Sequence, residues 1–207
     1  MSPSATKKTY TVVCDPGHWG DDVGAVYNGI READLVSAYA SELQADLERR
    51  GHAVTATRGA SIPTKKLMLH ERGAISKRAG ADFVVSLHAN AAVFPDSGKP
   101  NELAMGAIVF YHPASALARK LATEIEFRMP AKLRTRRVRV EAATKEAWPR
   151  VFSCLDVHAA PSVLLEIGFL TNKDDAFMLS QPETIRQVVS AIGEGIDVMG
   201  RPEAQIP

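Results

Sequence analysis

The sequence predicts an α/β domain with a mostly parallel, twisted central sheet of about six strands flanked by helices. Two observations carry that expectation. Short apolar runs recur along the chain, and amphipathic helical stretches lie between them, the alternation that builds βαβ units. No internal repeat and no linker-like stretch divides the 207 residues, which suffice for one domain with a core of its own.

The elements follow in order. Tyr10 to Cys14 is a first strand, closed by an Asp-Pro-Gly turn. Glu32 to Arg50 is the clearest helix, since Leu35, Tyr39, Leu43 and Leu47 recur at every fourth position, and Gly51 stands where a C-cap belongs. His52 to Thr57 alternates as a second strand, and Leu67 to Ala79 is helical. Asp82 to Leu87 is apolar enough to lie in the middle of the sheet. Ala91 to Glu102, with Pro95, Gly98 and Pro100, reads as a loop on the ligand edge. Met105 to Tyr111 is a strand, and Pro113 to Met129 a helix with Leu117, Leu121 and Ile125 on one face. Lys132 to Val140 is basic; its Arg134 to Arg139 run reads as a solvated strand face, with attraction to an anionic envelope as the alternative. Ser162 to Ile167 is the last central strand, and Thr184 to Met199 closes the chain as a helix.

Composition narrows the function. A content of 45% hydrophobic and 24% charged residues is that of a globular protein, and a net charge of +1 argues against nucleic-acid binding. No run approaches the ~20 apolar residues that span a bilayer. The start, Met1 to Thr11, lacks the apolar core of a secretory signal, so a cytoplasmic protein released by another agent is expected. The two cysteines, Cys14 and Cys154, read as buried thiols; a Cys nucleophile served by His18 or His158 would leave Glu32 and His88 without a role.

Three of the apolar runs lead into residues that hold or serve metals: His18 after Asp15-Pro16-Gly17, His88 after Phe83 to Leu87, and Glu166 after Val163-Leu164-Leu165. Glu32 opens the first long helix. In parallel sheets ligands gather at the carboxyl ends of strands, so these four residues are expected to meet. Two histidines and a glutamate form a ligand set for catalytic zinc that leaves a position open, and a second carboxylate can serve as general base. A carboxylate within the apolar run 163–170 is costly to bury unless it is paired or lies near a metal. Asp15 is the nearest candidate to orient the histidines. Asn90 reads as an ordinary turn residue, and His52, His70 and His112 as structural or surface residues.

On these residues the chain resembles the zinc-dependent N-acetylmuramoyl-L-alanine amidases of the amidase-3 family. The matching segments are Asp15 to His18, Gly24-Ala25 followed by Glu32, Leu67 to Arg72, Ala81 to Asn90, and Pro161 to Asn172. The resemblance covers about residues 10–199, with residues 1–9 as a disordered lead-in and 10–207 as the catalytic domain. It implies that His18, Glu32 and His88 hold Zn2+, that Glu166 is the catalytic glutamate, and that peptidoglycan is the substrate. With no export signal and no separate wall-binding repeat in a single compact domain, a monomeric phage or prophage endolysin that reaches the wall through a holin is expected, with a bacterial recycling or remodelling enzyme as the alternative. Trp19 replaces the family's usual glycine. Other zinc hydrolases of wall peptides or sugars, and a non-catalytic wall-binding module, stay open as alternatives.

Overall fold

The computed structural model describes residues 8–18, 20–59, 67–130, 133 and 137–200. Trp19, Lys132, Arg134, Arg136 and the segment before residue 8 lie outside them.

Eight strands and six helices are described. They are β1 (Thr11–Pro16), β2 (Val26–Tyr27), β3 (Ile30–Arg31), α1 (Glu32–Arg49), β4 (Ala53–Ala56), α2 (Leu69–Arg78), β5 (Phe83–Asn90), β6 (Ile108–Tyr111), α3 (Ala116–Arg128), β7 (Arg139–Ala142), α4 (Pro149–Asp156), β8 (Ser162–Phe169), α5 (Lys173–Leu179) and α6 (Pro182–Val198). Six strands form one sheet in the order β4-β1-β5-β8-β6-β7. Strands β4, β1, β5 and β8 run parallel, while β6 pairs antiparallel with β8 and carries β7 with it. The expected mostly parallel sheet is present, with its reversed strands at one side.

Side chains alternate across the sheet, and the two faces are covered differently. Val12, Cys14, Val85, Leu87, Val163, Leu165 and Ile167 face the main core, which includes the Leu35–Tyr39–Leu43–Leu47 stripe of α1; α1 packs against α6, and α6 against α3. On the other face Ile108, Phe110 and Leu164 meet Leu155 and Trp148 in a smaller cluster. Asp15, Ser86, His88 and Glu166 alternate with the core residues, so they fall on this second face, where α2 and α4 leave room at the strands' carboxyl ends.

The sequence reading misses three pieces. The hairpin β2–β3 has two residues per strand, too few to show a period. Helices α4 and α5 have eight and seven residues, about two turns each. Their signals are local: Pro149 in the first turn of α4, and Asn172 capping α5 by accepting from the amides of Asp174 and Asp175. Strand β6 begins at Ile108 rather than Met105, because the Gly106 amide donates to the buried Asp175 carboxylate at 2.9 Å instead of joining the ladder. Strands β5 and β8 also run further than expected. Their ladder continues through the pair His88–Glu166 to Asn90–Phe169, with an irregularity between, so both residues belong to the sheet.

Candidate metal centre

His18, Glu32 and His88 converge: one ligand atom from each lies within 4.8 Å of the others. Each arrives by a different route. His18 follows β1 in a left-handed conformation, φ +61°, uncommon for a residue other than glycine. Glu32 is the first residue of α1, placed by its amide donating to the Ala25 carbonyl at 2.9 Å. His88 projects from β5 beside Glu166 of β8.

Two glycines make the approach possible. A Cβ on Gly17 would lie 2.3 Å from the His88 ring, and one on Gly24 would lie 2.6 Å from both the Glu32 carboxylate and the His18 ring. Gly24 also has φ +69°, so a side chain there meets both a strained backbone and no space.

The Glu32 carboxylate sits between the two rings, Oε2 at 2.9 Å from His18 Nε2 and Oε1 at 3.0 Å from His88 Nδ1. The Ala25 and Ala89 amides donate to its two oxygens, each at 3.0 Å. Burial would raise its pKa, but the hydrogen bonds from His18 and His88 outweigh that and hold the carboxyl well below the usual range. The same contacts raise His18: burial lowers it, while the hydrogen bonds to Glu32 and Asp22 more than compensate. Asp22 Oδ1 lies 2.9 Å from His18 Nδ1, so it orients the ring with Nε2 turned inward.

Glu166 differs. Burial pushes its carboxyl up to about 7; the Glu32 charge adds to that by a smaller amount, and the His88 and His18 charges act against it. Its Oε2 is buried without a hydrogen-bond partner. These residues line an open cleft of about 630 Å³, with Leu67, Met68 and Leu69 along one wall and Arg150, Val151 and Cys154 of α4 along another.

Asp15 is not the residue that orients the histidines. Its carboxylate accepts from Thr57 (2.6 Å), Arg72 (3.1 Å) and Ser86 (3.1 Å), and lies 3.9 Å from His158 Nε2. Strand alternation aims it at α2, so Asp22 takes the role expected of it. Sequence reasoning passed over Asp22, although an acid four residues after a candidate ligand, in the turn Gly20-Asp21-Asp22, was a usable signal. Cys14 is pushed up to about 12 and Cys154 to about 11, in both cases chiefly by burial, which removes the thiolate a Cys nucleophile needs. Asn90 lines the cleft, and its side chain accepts from the Ala91 amide at 2.8 Å. Of the basic stretch, Arg139 lies 3.5 Å from Glu141.

The sequence matches the family described as N-acetylmuramoyl-L-alanine amidase over residues 12–198. The chain belongs to the N-acetylmuramoyl-L-alanine amidase family. Among its relatives, the uncharacterized protein YqiI of Bacillus subtilis is 33% identical over 187 residues, covering 90% of this chain and 83% of YqiI. The N-acetylmuramoyl-L-alanine amidase LytC of the same organism is 31% identical over 89% of this chain, which spans 34% of LytC. The structure of the amidase AmiC2 of Nostoc punctiforme superposes with a TM-score of 0.73 at 28% identity, covering 90% of this chain and 94% of that one.

Proposed function

We propose that the chain is a zinc-dependent hydrolase of peptidoglycan that cuts the amide joining the lactyl group of N-acetylmuramic acid to L-alanine of the stem peptide. The observation that carries this reading is the convergence of His18, Glu32 and His88 beside a buried carboxylate, Glu166, that has an unpartnered oxygen. The donor set suits zinc: two imidazole nitrogens and one carboxylate, with Asp22 behind His18 and two backbone amides behind Glu32. When bound, zinc supplies Lewis acidity toward the scissile carbonyl and brings water closer to ionisation.

The chain's own residues do the rest. Glu166 accepts a proton from the water that attacks the carbonyl carbon, and returns it to the nitrogen as the carbon–nitrogen bond breaks, leaving a lactyl carboxylate and a free L-alanine amine. With His18, Glu32 and His88 holding a dication beside it, Glu166 would be favoured in the ionised form needed for the first transfer. The apolar wall of Leu67, Met68 and Leu69 offers a surface for the sugar or the peptide backbone. Arg150 lines the cleft with no ion-pair or hydrogen-bond partner among the described residues, and offers a cation to a carboxylate of the stem peptide.

Digestion of purified peptidoglycan with mass analysis, with and without chelator, tests the reading. Stem peptides beginning at a free L-alanine, lost on chelation and restored by zinc, are expected. Shortened peptides still attached to muramic acid would instead indicate a carboxypeptidase, deacetylated sugars a deacetylase, and binding without soluble products a wall-binding module. Action on the wall after release by a holin, as a phage or prophage endolysin, belongs to the same proposal. Expression in a host with and without a holin checks it, lysis being expected only with the holin.

A further inference from the structure

Two buried guanidinium groups lie beneath the turn that carries His18: Arg58 is 4% exposed and Arg72 is 6%. Arg72 donates to the Asp15 carboxylate (3.1 Å) and to the carbonyls of Pro16 (3.2 Å) and His18 (3.4 Å), so it holds β1 and its exit from one side. Arg58 is placed differently. Its Nη2 donates both to the Gly17 carbonyl at 3.0 Å and to the Ala33 carbonyl at 3.2 Å, while Nη1 donates to the Ser37 hydroxyl at 2.6 Å. Gly17 immediately precedes His18, and Ala33 immediately follows Glu32. One nitrogen therefore ties together the two backbone segments that deliver two of the three proposed ligands.

We propose that Arg58 is a positioning residue of the metal centre: its bridge between the Gly17 and Ala33 carbonyls sets the spacing of His18 against Glu32, and through it the affinity for the ion. This rests on the zinc reading above. His18 holds a left-handed backbone that a non-glycine residue keeps only where its surroundings enforce it. With Arg72 on the His18 carbonyl and Arg58 on the carbonyl before it, both peptide groups around that residue are pinned. A planar guanidinium reaches three acceptors at fixed angles, which an ammonium on a flexible stem does not reproduce. Burial, and then the charge of Arg72, push the Arg58 pKa down, so a cation is kept here against an energetic cost that plain packing would not require.

The test is zinc affinity, measured by competition with a chromophoric chelator on metal-free protein, for wild type, Arg58→Lys, Ser37→Ala and Leu121→Ala. Leu121 is fully buried in α3, away from the cleft, so its truncation lowers Tm without touching the ligands. Arg58→Lys is expected to weaken zinc binding by about tenfold or more, the range seen when groups behind metal ligands are changed. Ser37→Ala, which leaves both carbonyl contacts in place, should fall between Arg58→Lys and wild type. Leu121→Ala should keep its zinc affinity within about twofold, as expected of a distant, independent site. Wild-type affinity in Arg58→Lys, or an equal loss in Leu121→Ala, would overturn the positioning role while leaving the zinc reading intact. A wild type that holds no zinc would overturn both.

Discussion

Two carboxylates on the same face of the same sheet have opposite surroundings. Asp15, on β1, is 2% exposed and accepts from Thr57, Arg72 and Ser86. Glu166 lies on β8, between β5 and β6 in the interior of the sheet, yet one of its oxygens is buried with no donor. Burial would raise both. For Asp15 the His158 imidazole, the Arg72 guanidinium and the Thr57 hydroxyl overturn that and hold it well below the usual range, while Glu166 is left at about 7. Under the proposed mechanism, the difference separates a structural charge from a working one. A carboxylate with its lone pairs filled stays ionised and fixed, whereas one left short of donors can take up and release a proton.

The strongest way to break the comparison is Glu166→Gln. It should lower wall hydrolysis by about 10²–10⁴-fold, the usual worth of a general base, with zinc content and far-UV circular dichroism unchanged. Wild-type lysis by this variant would remove Glu166 from the chemistry. Asp15→Ala should instead act on stability. Removing one partner of the buried Asp15–Arg72 pair leaves a buried cation uncompensated, with an expected loss of about 3–5 kcal/mol in denaturant unfolding. A loss below about 1 kcal/mol would mean that the network around Asp15 is ornamental.

The pH dependence sharpens the contrast, because the two signs are opposite. The Asp15 carboxyl is depressed in the folded state, so its contribution is present in full above its unfolded pKa of ~3.9 and is lost as pH falls toward the folded value. Glu166 is raised. In metal-free protein it burdens the fold in full above about 7, and the burden fades as pH falls toward its ordinary value of 4.5. Metal-free Glu166→Gln should therefore exceed wild type in Tm most clearly at alkaline pH and converge with it in acid. An advantage that grows toward acid would reverse the assignment. The smallest effect is expected at the cleft rim, where Arg150→Ala should raise KM for wall fragments bearing a peptide carboxylate by about tenfold with kcat held, as befits loss of one charge-assisted contact. Equal KM values for acidic and amidated fragments in wild type would dismiss that contact.

Much of this was legible in the sequence. The fourfold repeat of leucine and tyrosine in α1 and the apolar runs of β1, β5 and β8 state their periods plainly, and a mostly parallel sheet follows from their alternation; the order of the strands and the reversal of β6 do not. Three of the four proposed site residues were legible because they break a local rule: a histidine after a sharp turn, another after a buried strand and a glutamate in an apolar strand. Glu32 instead stands where a helix start favours an acid, and was singled out by the family resemblance. What stayed hidden depends on three-dimensional neighbours. Nothing local says that Asp15 points at α2, since that depends on which way strand alternation falls at the exit of β1. Arg58 looks like any arginine at the end of a strand until its carbonyl partners are known. Short helices such as α4 make too few turns to register a period, though α4 supplies one wall of the cleft.

The order of strands has a consequence for the newly made chain. No continuous stretch contains the whole constellation: β1 must lie against β5 before His18 can meet His88, and the acid comes only with β8, late in the chain. A nascent polypeptide still short of β8 therefore carries no hydrolytic capability under the proposed mechanism, and one that mispairs its strands carries none either. Under the proposed mechanism, activity appears only once β8 has been made and the distant partners have found each other.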